Sequence, residues 1–93
     1  MSAIKVIVEN GHVELSYEEK TPENIGKRLN QLKQHLGVTW YGVAKVFNMK
    51  PSESSVRLFA RWQRDPSQAS YQEMPENSWK LLLALLDGQD PLN

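Results

Sequence analysis

The sequence predicts a mainly α-helical domain of four to five helices, preceded by a β-hairpin. Three observations carry this. Asn10-Gly11 separates two runs that alternate apolar and polar residues. Downstream, apolar residues recur at helical spacing in four segments, punctuated by capping residues, glycines and prolines. The length of 93 residues suits one domain, so 1–93 is read as a single domain with a hairpin at 4–17 and a helical bundle at 22–88.

In the hairpin, Asn-Gly satisfies a type I′ turn, which needs φ > 0 at both central positions. A two-residue loop pairs Glu9 with His12. The register then sets Val8 opposite Val13, Val6 opposite Leu15 and Ile4 opposite Tyr17, all on one face. Lys5, Ile7, Glu9, His12, Glu14 and Ser16 take the other. An isolated hairpin is marginal in water. This one is therefore expected to lie on the helices or to pair with another chain.

Helix one is expected to start at Thr21, a good N-cap, with Pro22 first and Glu23 at the positive dipole end. Ile25, Leu29, Leu32 and Leu36 make its buried stripe, and Gly37 ends it. Helix two runs from the cap Thr39 to about Phe47, with Val43, Ala44 and Phe47 inward and Asn48 left-handed at its end. Lys50-Pro51-Ser52 is a turn. Helix three spans 52–64, stopped by Asp65-Pro66. A polar loop at 67–74 leads to helix four, which opens at Pro75-Glu76, runs to Leu86 and is closed by Gly88.

The formal net charge is zero, but it is unevenly spread. Over 1–24, Lys5 and Lys20 face Glu9, Glu14, Glu18, Glu19 and Glu23, a net of −3. Over 25–64, Lys27, Arg28, Lys33, Lys45, Lys50, Arg57, Arg61 and Arg64 face Glu53 alone, a net of +7. Over 65–93 the net is −4. Local field, not total charge, attracts phosphate.

Helix three concentrates that charge. Ser54, Arg57, Arg61 and Arg64 recur at spacings of 3, 4 and 3, one stripe of a helix. Val56, Phe59 and Ala60, with Leu58 and Trp62 beside them, are expected opposite. Arginine donates two parallel hydrogen bonds to guanine O6 and N7, and the major groove admits one helix. Arg57, Arg61 and Ser54 are the candidates for base edges. Lys50, Ser52, Ser55 and Arg64 are the candidates for backbone phosphate, since a helix N-terminus with hydroxyls favours anions. Thr39, Trp40 and Tyr41 can add phosphate contacts. Lys27, Arg28 and Lys33 read as solvated charges or as further contacts. Trp40, Trp62 and Trp79 read as core or interface residues, and Met49 and Met74 as gap fillers.

The run Thr39-Trp40-Tyr41-Gly42-Val43-Ala44-Lys45-Val46-Phe47, then Val56-Arg57-Leu58-Phe59-Ala60-Arg61-Trp62, Met74-Pro75 and a leucine-rich helix, resembles the Cro/CI-type (Xre-like) helix-turn-helix regulators. It is similar to small phage and anti-CRISPR-associated repressors of that type. Ala44 stands where the family needs a small residue for close helix crossing. Asn48 replaces the usual turn glycine, and the segments 49–54 and 67–74 are extended. The resemblance implies a Cro/CI-like domain that regulates transcription, reading DNA with helix three.

Leu81, Leu82, Leu83, Leu85 and Leu86 ring helix four, more than a small domain is expected to cover. Leu81 and Leu85 are the candidate homodimer interface, with the hairpin as a second candidate. A two-fold dimer would read an inverted repeat.

The absence of cysteine excludes disulfides, thiolate zinc sites and cysteine nucleophiles. His12 and His35 have no triad partners, and no phosphate loop occurs. The chain is thus expected to be a non-enzymatic, cytoplasmic repressor that binds double-stranded DNA as a homodimer. It is expected to have no cofactor, metal, membrane or small-molecule partner. The rival readings are a protein-binding module (an antitoxin or phage inhibitor on the same scaffold, using its acidic ends) and binding to RNA or single strands through exposed aromatics.

Overall fold

A computed structural model describes residues 4–89. In chain order the elements are β1 (Ile4–Glu9), β2 (His12–Tyr17), α1 (Pro22–Leu36), α2 (Trp40–Val46), α3 (Glu53–Trp62) and α4 (Glu76–Gln89). The strands form a two-stranded antiparallel sheet in the expected register, from Glu9 opposite His12 to Ile4 opposite Tyr17. Asn10 and Gly11 have φ of 50° and 80°, as a type I′ turn requires.

Local chemistry sets the helix ends. The Thr21 hydroxyl accepts from the Asn24 N–H at 3.1 Å, capping α1. Gly37 takes φ 66° after α1; its N–H bonds the Gln34 carbonyl, and the Val38 N–H reaches back to Lys33. This is a Schellman closure. α2 ends the same way with a different residue. Asn48, at φ 58°, bonds Lys45, and the Met49 N–H bonds Ala44 at 2.9 Å. Asparagine tolerates the left-handed region better than most side chains. Gly42 permits a close approach instead, since a Cβ there would lie 2.7 Å from Val38 Cβ.

Two helix ends differ from expectation. α3 stops at Trp62, before Arg64, because the Gln63 and Arg64 N–H groups bond three residues back, tightening the chain. Asp65 then turns it by accepting from the Ser67 N–H and Oγ at 2.9 Å each. α4 continues through Gly88 to Gln89. Glycine stops a helix only where it turns left-handed.

One core holds the helices together. Ile25, Leu29 and Leu32 of α1, Val43 and Ala44 of α2, Phe59 and Trp62 of α3, Met74, and Trp79, Leu82, Leu83 and Leu86 of α4 are all buried. Leu36 and Ala60 differ from expectation. Leu36, the last of the α1 stripe, is exposed beyond the edge of this core. Ala60 is exposed because it lies about 60° from Arg57 around the helix, on the arginine side; Ser55 joins Phe59 and Trp62 on the inner side. The hairpin lies on the helices only at its open end. Ile4 and Tyr17 pack against the core, whereas Val6, Val8, Val13 and Leu15 are 54–70% exposed.

Phe59→Ala is expected to lower the unfolding free energy by about 3–5 kcal/mol in urea denaturation, since it empties the centre of the α3 contact. A loss below about 1 kcal/mol would show that α3 is not seated by this ring.

Candidate nucleic-acid interface

α3 carries the site because its inner side is fully used. Phe59 and Trp62 lie 5.2 Å apart between centroids, and Phe47 stands 6.0 and 6.1 Å from them. With that side fixed, Ser54, Arg57 and Arg61 face outward and are exposed. Together with Leu58 and Gln72 they line a shallow groove of about 380 Å³. The segment after α3 forms its wall: the Gln72 N–H bonds the Arg61 carbonyl at 3.3 Å, and Arg61 Nε donates to the Ser70 carbonyl at 3.0 Å. Arg61 is thus oriented and keeps its terminal N–H donors, while Arg57 bonds no described residue. Arg64 is exposed but lies past the helix end, off the regular stripe.

The N-terminus of α3 differs from the phosphate cradle the sequence suggested. Ser55 is buried, and its hydroxyl donates to the Lys50 carbonyl at 2.6 Å, so it closes the turn and is withdrawn from any ligand. Ser52 caps by backbone alone and is half-buried; Lys50 is exposed. Glu53 occupies the first turn, where a carboxylate already complements the positive dipole end. It accepts from the Tyr41 hydroxyl at 2.5 Å, and that bond, with the charge, raises the Tyr41 pKa. This contact spans the starts of α2 and α3 above an apolar hollow lined by Thr39, Trp40, Tyr41, Glu53 and Val56. Thr39 and Tyr41 are exposed. Trp40 is half-buried against Phe59, at 6.1 Å, and carries Lys33 Nζ 5.6 Å from its ring centre. Glu53 was the residue to notice, as the one acidic side chain within 25–64. Ser70 and Gln72 carry no sequence signal, because they sit in a segment without periodicity.

The remaining basic residues divide. Lys27 and Lys45 are exposed. Arg28 is structural: its Nε and Nη2 grip both Glu18 oxygens at 2.8 and 2.7 Å, and Nη1 donates to Gln31 at 2.8 Å. The Arg28 hydrogen bonds lower the Glu18 pKa despite partial burial. Lys20 lies 2.9 Å from Glu76 and 3.4 Å from Glu73, and donates to the Met74 carbonyl at 2.7 Å. Burial alone would lower its pKa, but the two carboxylates outweigh that and raise it. Glu18 at one acidic end and Glu73 and Glu76 at the other are therefore paired within the chain. Leu81 is exposed as a dimer contact needs, whereas Leu85 is half-buried against its own core, and Leu82, Leu83 and Leu86 are covered by it.

No family model, curated protein or solved structure matches this chain. Among the described residues, no helix is long and apolar enough to cross a membrane.

Arg28→Ala is expected to cost about 1–3 kcal/mol at neutral pH. Because the folded Glu18 pKa is lowered, the stabilisation is present above the unfolded carboxylate pKa and is lost as pH falls through the folded value. The gap between wild type and variant in urea denaturation should therefore shrink between pH 7 and about pH 3. An unchanged gap would mean that Arg28 acts by packing alone.

Proposed function

We propose that the chain is a sequence-specific DNA-binding regulator, a repressor on the Cro/CI-type helix-turn-helix plan, with α3 in the major groove. The carrying observation is the pair Arg57 and Arg61. They stand one turn apart on the outer side of a helix whose inner side is locked by aromatic rings, and both are exposed. Two supports accompany it. Ala44, the small residue at the expected crossing of the two helices, is fully buried. The acidic residues that cancel the net charge lie outside 25–64, save Glu53.

In this reading Arg57 and Arg61 address guanine edges, with Ser54 beside them. Phosphates are held on the flanks by Lys50, Arg64, Thr39 and Tyr41, not at the α3 N-terminus itself, where Ser52 is the cap. Glu53 repels an anion there, a cost that suits a helix entering the groove by its side chains. A second reading, a module that binds another protein, is favoured by the uncovered apolar side of the hairpin.

Selection of duplexes from a random library, repeated at two salt concentrations, separates them. The regulator enriches one sequence, and its affinity falls steeply with salt through counterion release. A protein-binding module enriches none. Arg57→Ala and Arg61→Ala should each cost about 1–3 kcal/mol of discrimination at one base position, with folding intact. Wild-type affinity in both variants would remove the assignment of α3. Glu53→Gln should tighten binding to any duplex, measured as a smaller Kd for unrelated sequences; a weaker affinity would show that Glu53 contributes a favourable contact.

A further inference from the structure

The hairpin is the least satisfied part of the molecule. Its apolar side packs on the helices at Ile4 and Tyr17, then continues uncovered through Val6 and Leu15 to Val8 and Val13, which are 70% and 66% exposed. Among the described residues the sheet has two strands, so each strand has an outer edge. A two-residue turn makes Glu9–His12 a hydrogen-bonded pair, as are Ile7–Glu14 and Lys5–Ser16 in alternation. The backbone N–H and C=O groups of Val6 and Val8 consequently point away from β2.

We propose that a second copy of this chain pairs with that edge of β1, antiparallel about a two-fold axis at Ile7, joining the two hairpins into one four-stranded sheet. Charge complementarity selects the register. With Val6 bonded opposite Val8 of the other copy, Ile7 meets Ile7 across the axis, and Lys5 faces Glu9 at both ends. A slip of two residues either way sets Ile7 against a charged side chain instead. The corresponding two-fold pairing through β2 would oppose Glu14 to Glu14, which is destabilising. The antiparallel overlap also carries each apolar tip, Val8 and Val13, to the end of the other hairpin where Ile4 and Tyr17 meet the helices. The contact is isologous and closed, so it ends at two copies. It does not rest on the DNA-binding reading.

Ile7→Cys tests the register directly. The chain has no other cysteine, and facing residues in a non-hydrogen-bonded antiparallel pair lie about 4.5 Å apart at Cα, within disulfide reach. Under mild oxidation this variant is expected to form a covalent dimer, while Val13→Cys stays monomeric on denaturing gels. Wild type should sediment as a dimer in the absence of DNA. Lys5→Glu and Glu9→Lys should each raise the dimer dissociation constant about tenfold, and the double swap should restore it. Circular dichroism confirms that the exposed swaps leave the fold intact. A monomeric wild type overturns the proposal and directs the hairpin to a different partner; cross-linking through Val13 but not Ile7 overturns it in favour of face-to-face packing. Neither result bears on whether the chain binds DNA.

Discussion

Phe59 and Trp62 decide where every other feature of α3 points. They lie three residues apart on one side, are buried in the core, and are held by Phe47, edge-on to Trp62 and tilted against Phe59, and by Trp40 against Phe59. Aromatic side chains bring a large apolar area and a directional preference, so they fix rotation as well as depth. If α3 turned by one residue, about 100°, these rings would move toward water and an arginine toward the core, where an unpaired charge is costly. The seat has a cost of its own. Trp62 Nε1 is buried with no hydrogen-bond partner among the described residues, a penalty of about 1–3 kcal/mol that burial of the ring must outweigh.

A second constraint lies between the hairpin and α1. Glu18 and Lys20 project from this short connection toward α1 and α4: Glu18 to Arg28, Lys20 to Glu76, Glu73 and Met74. The Trp79 indole donates to the Glu18 carbonyl at 2.9 Å, adding a backbone tie to α4. The base of the hairpin is anchored while its tip is left without cover. These pairs also shape the field. They occupy carboxylates of both acidic segments and one arginine of the basic one, whereas Lys27, Lys45, Lys50, Arg57, Arg61 and Arg64 remain at the surface. A chain of zero formal charge thus carries most of its exposed cations on its middle elements.

Features with a strict period or a stereochemical demand were legible from residue order alone. The hairpin register follows from Asn10-Gly11 and alternation. The first helix follows from Thr21, Pro22 and Gly37, and the end of the second from Asn48. Features set by competition between neighbours were not legible. Whether Ser55 faces a ligand or closes a turn depends on the Lys50 carbonyl, which comes near only once Pro51 has turned the chain. Leu36 extends an apolar stripe longer than the core it serves. Gly88 can stop a helix or lie within one. The leucines of α4 looked too many because the area offered by α1, Trp62 and Met74 is a property of the assembled bundle. Arg57 and Arg61 were found by helical spacing. Their groove was not, since Ser70 and Gln72 reach it through a loop that no pattern marks.

The two surfaces that remain unsatisfied are complementary in what they supply. On the proposed DNA-binding reading, one helix with two arginines at base edges has few contacts through which to tell sequences apart. Each good bidentate pair discriminates by about 1–3 kcal/mol, against a nonspecific attraction that every phosphate offers. Doubling the helix through a closed two-fold contact raises discrimination without adding a residue, because the second half-site is met at high effective concentration. A hairpin edge suits that role. Backbone pairing fixes orientation along the whole strand, and Lys5 facing Glu9 rejects other registers, whereas an apolar patch such as Leu81 alone would fix neither. Pairing also removes the liability of a free strand edge beside an apolar surface, which otherwise invites open-ended aggregation. If both proposals hold, the exposed valines and the exposed arginines are two halves of one requirement: a rigid scaffold that holds its reading surface outward and sets a second copy at a defined place beside it.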